Sequence, residues 1–122
     1  MTKYYSREHE WIDIQDNNEA LIGITSFAIE QLGDIVFVEL PKEGATIEAG
    51  KDCAVIESVK AASEIYAPMS GSVLTANEEI ETSPEKIQSD GSAWFLRVQL
   101  SNMEEAKALM DETTYENYVA SL

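Results

Sequence analysis

Cys53-Ala54-Val55-Ile56-Glu57-Ser58-Val59-Lys60-Ala61-Ala62-Ser63-Glu64-Ile65-Tyr66-Ala67-Pro68 is the stretch on which the fold turns. Residues 54–57 and 63–67 are short runs rich in β-branched and aromatic side chains, which fit a pleated, half-buried surface. Between them, Ser58-Val59-Lys60-Ala61 reads as the turn of an antiparallel hairpin, with Lys60 at its tip. A lysine there holds its ammonium on four methylenes in water, where a modifying enzyme reaches it and an attached group swings widely. An unmodified lysine that keeps a turn solvated is the simpler reading of an arbitrary hairpin.

Outward from this hairpin the same pattern repeats. Residues 20–24, 35–40, 72–75 and 94–100 read as further short strands. Asp16-Asn17-Asn18, Pro41-Lys42-Glu43-Gly44, Ala49-Gly50 and Pro68-Met69-Ser70-Gly71 supply the turns, with Pro fixing φ and Gly or Asn releasing it. Strands so closely spaced leave no room for crossover helices, so a mainly β fold is expected: a β-sandwich or flattened barrel of hairpins. One short internal helix is predicted, capped by Thr25 or Ser26, with Ala28, Ile29 and Leu32 on its apolar side and Gly33 ending it in the left-handed conformation. Residues 77–85 read as a solvated acidic loop.

From about residue 102 to 122 the period changes. Ser101-Asn102-Met103-Glu104 and Thr113-Thr114-Tyr115-Glu116 match the capping-box pattern and predict two C-terminal helices. Met103, Ala106, Leu109 and Met110, then Tyr115, Tyr118, Val119 and Leu122, recur at helical spacing and are expected to dock on the sheet. With no Gly-, Ser- or Pro-rich linker anywhere, residues 1–122 are read as one domain.

The chain has 122 residues, with 8 Lys plus Arg against 23 Asp plus Glu, a net charge of −15. Phosphate backbones and anionic membranes repel such a chain, so neither nucleic acid nor membrane is an expected partner. A lone Cys53 forms no internal disulfide and points to a reducing interior. The start, Met1-Thr2-Lys3-Tyr4-Tyr5, carries neither a signal core nor a transit-peptide pattern, and the cytoplasm is the expected location. No metal site is expected, because the single histidine, His9, would have to be helped almost entirely by carboxylates. The six glycines build no phosphate loop, no nucleophile elbow occurs, and Cys53 has no histidine beside it. Catalysis by the chain's own side chains is therefore not expected. Trp11 reads as a packing aromatic, His9 as shaping a surface, and Cys53 as a buried inert thiol.

Glu57-Ser58-Val59-Lys60-Ala61-Ala62-Ser63, followed by Pro68-Met69-Ser70-Gly71, resembles the lipoylation signature of the glycine cleavage system H proteins, the lipoyl carriers of that system. Tyr5, His9-Glu10-Trp11, Gly23-Ile24-Thr25, the run 31–41 and Gly44-Ala45 fall in the same order and spacing as in that family, so the likeness covers nearly the whole chain. The resemblance implies a lipoyl/biotinyl-carrier-like barrel-sandwich hybrid with added helices. It implies lipoate in amide linkage on Lys60, turning a cation into a neutral amide. The implied partners are a pyridoxal-phosphate glycine decarboxylase, a tetrahydrofolate aminomethyltransferase, a flavin dihydrolipoyl dehydrogenase and a lipoylating enzyme. Recognition of the carrier body by each raises the local concentration of the tethered group. The aminomethyl group passes from the first to the second and electrons go to the third; the carrier is expected to be a monomer. Glu57, Ser58, Val59 and Ala61 are the expected surface for the lipoylating enzyme. Glu8, His9, Glu10 and Glu64 fall where the family shelters the loaded arm, a carboxylate pairing with a protonated amine.

The sequence departs from the family pattern at three places. The run Ile87-Gln88-Ser89-Asp90-Gly91-Ser92-Ala93-Trp94 lacks a common Pro-Tyr and is shorter by about two residues, a small change in loop-closure cost. Glu64 stands where Asp is frequent, and Cys53-Ala54 where a Phe-Gly-like pair is common. An H-like carrier that relays lipoate to other lipoate-dependent enzymes is the alternative, with the same lysine modified. A biotin carrier is expected to show Met-Lys-Met, against Val59-Lys60-Ala61 here. A plain interaction module without a cofactor would show no added mass.

Overall fold

The structure is a computed structural model and describes residues 2–122. Among the described residues, nine strands form two antiparallel sheets. The larger has the order β1 (Thr2–Tyr5), β2 (Glu10–Ile14), β3 (Glu19–Ile24), β9 (Trp94–Leu100), β8 (Gly71–Ala76) and β5 (Thr46–Ile47). The smaller has the order β4 (Ile35–Glu39), β6 (Asp52–Ser58) and β7 (Ala62–Tyr66). The two inner faces share one core. Ile12, Ile22, Leu96 and Val98 come from the large sheet, Val38, Ile56 and Ile65 from the small one, and all are buried. The expected β-sandwich is the observed architecture, and closing apolar faces on each other supplies its main driving force.

The six strands expected from sequence lie at β3, β4, β6, β7, β8 and β9, with no end shifted by more than two residues and β9 matched at both ends. Strands β1, β2 and β5 were not anticipated. Strand β5 has only two residues, and β1 carries Thr2-Lys3-Tyr4-Tyr5 with no buried position, so neither shows alternation to read.

The internal helix, α1 (Ser26–Leu32), is capped by Thr25, whose hydroxyl accepts from the Ala28 N–H at 3.3 Å. Gly33 ends it with φ 80° as expected. Its ψ of −147°, however, belongs to an extended region open essentially to glycine and not to the left-handed helix region. The stretch 77–85 is not a plain loop. It holds α2 (Glu78–Thr82) and a 3-10 turn (Pro84–Lys86), because Ile80 is buried in the core, and the Glu81 carboxylate accepts from the Leu40 N–H at 2.8 Å.

The C-terminal pair also differs from expectation. The first helix is a 3-10 helix (Met103–Ala108) capped by Asn102 rather than Ser101. The second, α3 (Glu112–Ala120), is capped by Asp111, whose carboxylate accepts from the Thr114 N–H at 2.8 Å, rather than by Thr113. Asp and Asn one or two residues away compete well for the same capping geometry. Met103 and Leu122 are exposed rather than docked, and only Tyr115 of α3 is fully buried. Among the described residues no helix is long and apolar enough to cross a membrane.

Candidate functional site

The β6–β7 hairpin places Lys60 on an exposed turn. The strands pair as Glu57 with Ala62, Ile56 with Ser63 and Val55 with Glu64. Ser58 builds the turn almost alone. Its N–H donates to the Ala61 carbonyl at 2.8 Å, and its Oγ accepts from the N–H groups of Lys60 and Ala61, both at 3.1 Å. These short-range bonds satisfy the turn's backbone without help from the core, which is why Ser at that position is informative. A further bond, from the Val59 N–H to the Asp34 carbonyl at 3.0 Å, fixes the turn to the segment between α1 and β4.

Lys60 lies across Gly33. A Cβ added at Gly33 would stand 3.3 Å from Lys60 Cε and 3.7 Å from Nζ, tighter than ordinary contact at the methylene. The glycine thus gives the lysine stem a track along the end of α1. Glu57, Val59 and Ala61 are exposed beside it, and Ser58 is half-buried. Sheet register slips between Ile35 and Phe37, and this irregularity turns Val36 outward where plain alternation would place it with buried Val38. Val36, Phe37 and Val59, 57%, 43% and 68% exposed, put apolar surface on β4 and on the Lys60 turn.

A cleft of about 330 Å³ opens next to this turn. One wall is α1, with Phe27, Ala28, Gln31 and Leu32, the last directly preceding Gly33. The floor comes from Ile24 and the hairpin residues Ile56, Ser63, Glu64 and Ile65. A further wall is Glu8, His9 and Glu10. All four sequence-predicted shelter residues therefore meet in one cleft, two of them exposed (Glu8 and Glu64), His9 half-buried and Glu10 fully buried. Lys60 itself does not line it.

Glu10 is only 2% exposed. Its carboxylate accepts from the Ser6 hydroxyl, and from the Tyr66 N–H at 3.2 Å. Burial pushes its pKa up to about 7, although both hydrogen bonds pull the other way and Glu8 adds a small push upward. A cation entering the cleft would draw this group to its charged form, since an opposite charge within a few ångströms favours ionisation.

His9 sits in the left-handed region at φ 70°, uncommon for a residue with a Cβ. Its N–H donates to the Ser6 carbonyl at 3.1 Å and its carbonyl accepts from the Thr25 N–H at 3.0 Å, so the turn between β1 and β2 is locked to the start of α1. Burial holds the imidazole below its ordinary pKa, against the opposing field of Glu8. Trp11 is the packing aromatic expected: its indole N–H donates to the carbonyls of Gly91 at 2.8 Å and Ile24 at 3.1 Å. It also lies so close to Gly23 that a Cβ there would fall 2.5 Å from the indole. Cys53 is half-buried, and burial, with Glu10 and Asp52 adding to it, pushes its thiol up to about 12, an inert group at neutral pH.

Ser6, Thr25, Gly33, Tyr66 and Tyr115 also shape the site and were not singled out as site residues in the sequence. Gly33 and Thr25 left a signal as the end and a candidate cap of a predicted helix, and Tyr115 as a residue expected to dock on the sheet. Tyr66 contributes only a backbone N–H, to which residue identity is silent.

Comparison with known proteins identifies the family. The family model of the glycine cleavage H-protein matches residues 3–122. The glycine cleavage system H proteins of Aeromonas hydrophila and Rhodospirillum rubrum are 51% and 47% identical to this chain, over 94% and 98% of it and 91% and 96% of their own lengths. The crystal structure of a glycine cleavage system H protein from Mycobacterium marinum superposes with a TM-score of 0.89 at 34% identity, covering 98% of this chain and 97% of that one. The chain belongs to the glycine cleavage H-protein family, the non-catalytic lipoyl carriers of the glycine cleavage system.

Proposed function

We propose that Lys60 is the residue that carries the lipoyl group, in amide linkage, and that the neighbouring cleft shelters the loaded end of the arm. The observation that carries this reading is the juxtaposition of an exposed lysine, stretched over a glycine track, with a cleft whose apolar walls enclose a buried carboxylate. The residues fit the group: a side chain at Gly33 would crowd the stem, and about 330 Å³ falls within the range of small-molecule sites. When bound, the lipoyl group supplies a dithiol–disulfide couple at the end of a long flexible arm and takes the aminomethyl cargo on sulfur.

The chain's own residues hold and protect. Ser58 keeps the turn in shape for the lipoylating enzyme, which reads Glu57, Ser58, Val59 and Ala61 around the amine. Phe27, Leu32, Ile56 and Ile65 keep water from the cleft. Glu10, assisted by the rim carboxylates Glu8 and Glu64, would accept a hydrogen bond from a protonated amine in the cleft, giving up its own proton to water as that cation arrives. The carrier is presented in turn to the decarboxylase, the aminomethyltransferase and the dihydrolipoyl dehydrogenase, recognition of its body raising the local concentration of the tethered group at each.

Intact-mass measurement after incubation with lipoate, ATP and a lipoate-attaching enzyme tests the attachment. One lipoyl increment is expected on the wild type and none on Lys60→Arg, with both proteins melting at the same temperature. An increment that persists in the arginine variant would place the attachment elsewhere.

A further inference from the structure

We infer that Tyr115 is a positioning residue, through which the C-terminal helix sets the spacing of the two cleft walls. Its hydroxyl lies 2.8 Å from His9 Nδ1 and 2.8 Å from Thr25 Oγ1. His9 belongs to the wall that also bears Glu8 and Glu10, and Thr25 is the cap of α1, the wall that bears Phe27 and Leu32. One oxygen from a residue some ninety positions further along the chain thus joins both sides of the cleft.

An order of protons from Thr25 through Tyr115 to His9 belongs to the same proposal. Thr25 Oγ1 already accepts from the Ala28 N–H, so its own proton is available to the Tyr115 oxygen. Tyr115 then donates to His9 Nδ1, leaving the imidazole proton on Nε2. Burial keeps the imidazole neutral, consistent with this order. Packing supports the same geometry. Tyr115 stacks on Tyr5 at 4.7 Å between ring centroids, and the His9 ring lies among Phe27, Tyr115 and Tyr118 at 4.5, 5.8 and 6.0 Å. A left-handed non-glycine residue persists where its surroundings over-determine it, and here the hydroxyl and three rings do so. Glu8 and Glu10 flank His9 in the chain, so their placement follows from it. The rest of α3 is half-buried or exposed, which leaves the tyrosine as its main anchor.

This inference rests on the cleft being the shelter, and the experiment keeps the two apart. The chain has a single histidine, so one two-bond ¹H–¹⁵N correlation spectrum of the labelled, unmodified protein reads His9 without ambiguity. The wild type is expected to show the Nε2–H tautomer. Tyr115→Phe, which keeps the ring on Tyr5, is expected to show a tautomer mixture. On the lipoylated protein it should also shorten the lifetime of the loaded carrier about fivefold, the factor contributed by a neutral hydrogen bond of ordinary net strength. Lys60 should be lipoylated at the wild-type rate. Wild-type tautomer or wild-type lifetime in Tyr115→Phe overturns the proposal. If instead the loaded wild type decays as fast as Glu10→Ala, the shelter reading fails, while the tautomer still reports on the Tyr115 bond.

Discussion

The Lys60 turn and the Glu10 cleft are neighbours built on opposite principles. The turn is held mainly by bonds within four residues, from Ser58 to Ala61, with one further bond to the Asp34 carbonyl, and its side chains other than half-buried Ser58 are open to water. The cleft is held by Ser6, His9, Thr25, Tyr66 and Tyr115, drawn from four separate segments, around a carboxylate that is 2% exposed. In the proposed function a modifying enzyme grasps the first, and local rigidity and exposure serve that role. Keeping a labile amine from water requires desolvation, which only distant segments packed together supply. Under the proposed function, the contrast makes attachment and protection separable in this fold, to be disturbed one at a time.

The largest effect is expected at Glu10. Its pKa rises from 4.5 to about 7 on folding, so the folded state binds a proton more tightly than the unfolded chain does. The sign follows from linkage. The group's favourable contribution is complete below pH 4.5 and is lost as pH climbs through about 7, where burying the anion costs stability. Glu10→Gln removes the titration and is expected to gain on the wild type across that window, by up to about 3 kcal/mol above pH 7. Urea melts of both proteins at pH 5 and pH 8 measure the gap. A gap that does not change with pH would mean the cleft carboxylate is as solvated as the turn, erasing the contrast.

Gly33 belongs to both regions, ending the cleft's α1 wall and carrying the lysine stem. Gly33→Ala imposes a Cβ on a φ of 80° and ψ of −147°, at an expected cost of about 2 kcal/mol. It should also slow lipoylation, because the added carbon meets Lys60 Cε. Equal loss of stability with unimpaired lipoylation would show that the glycine serves the helix end alone. The smallest effect is expected from Ser58→Ala, which removes the oxygen serving two turn N–H groups. Because water reaches those groups, the cost should stay near 1 kcal/mol, while lipoylation slows several-fold. A Ser58→Ala protein that loses its cleft as well, seen as a shifted His9 spectrum, would break the separability of the two regions.

How much of this was legible follows the same division. The hairpin around Lys60 was readable because two apolar runs and a Ser-Val-Lys-Ala turn carry their instructions within sixteen residues of sequence. Ile80 shows the converse. In a stretch of glutamates it looked like part of a solvated loop, and only the core waiting beneath it turned residues 78–82 into a helix. The C-terminal caps were misplaced because Ser101, Asn102, Asp111 and Thr113 are all competent caps, and docking selected among them. Glu8, His9, Glu10 and Glu64 were found through family likeness, and their convergence in one cleft is a product of the fold.

By itself the sequence determined the β-rich layering, the exposed lysine at a hairpin tip and an acidic surface unsuited to phosphate backbones. These depend on alternation, turn chemistry and charge, which act between residues close in the chain or through sums over it. The tertiary structure alone decided that Glu10 would be dry, that a tyrosine near the C-terminus would bond to His9 near the N-terminus, and that a glycine would lie under the lysine stem. Desolvation and long-range hydrogen bonds exist only once sheet pairing has brought remote segments within a few ångströms, and no local pattern specifies that distance.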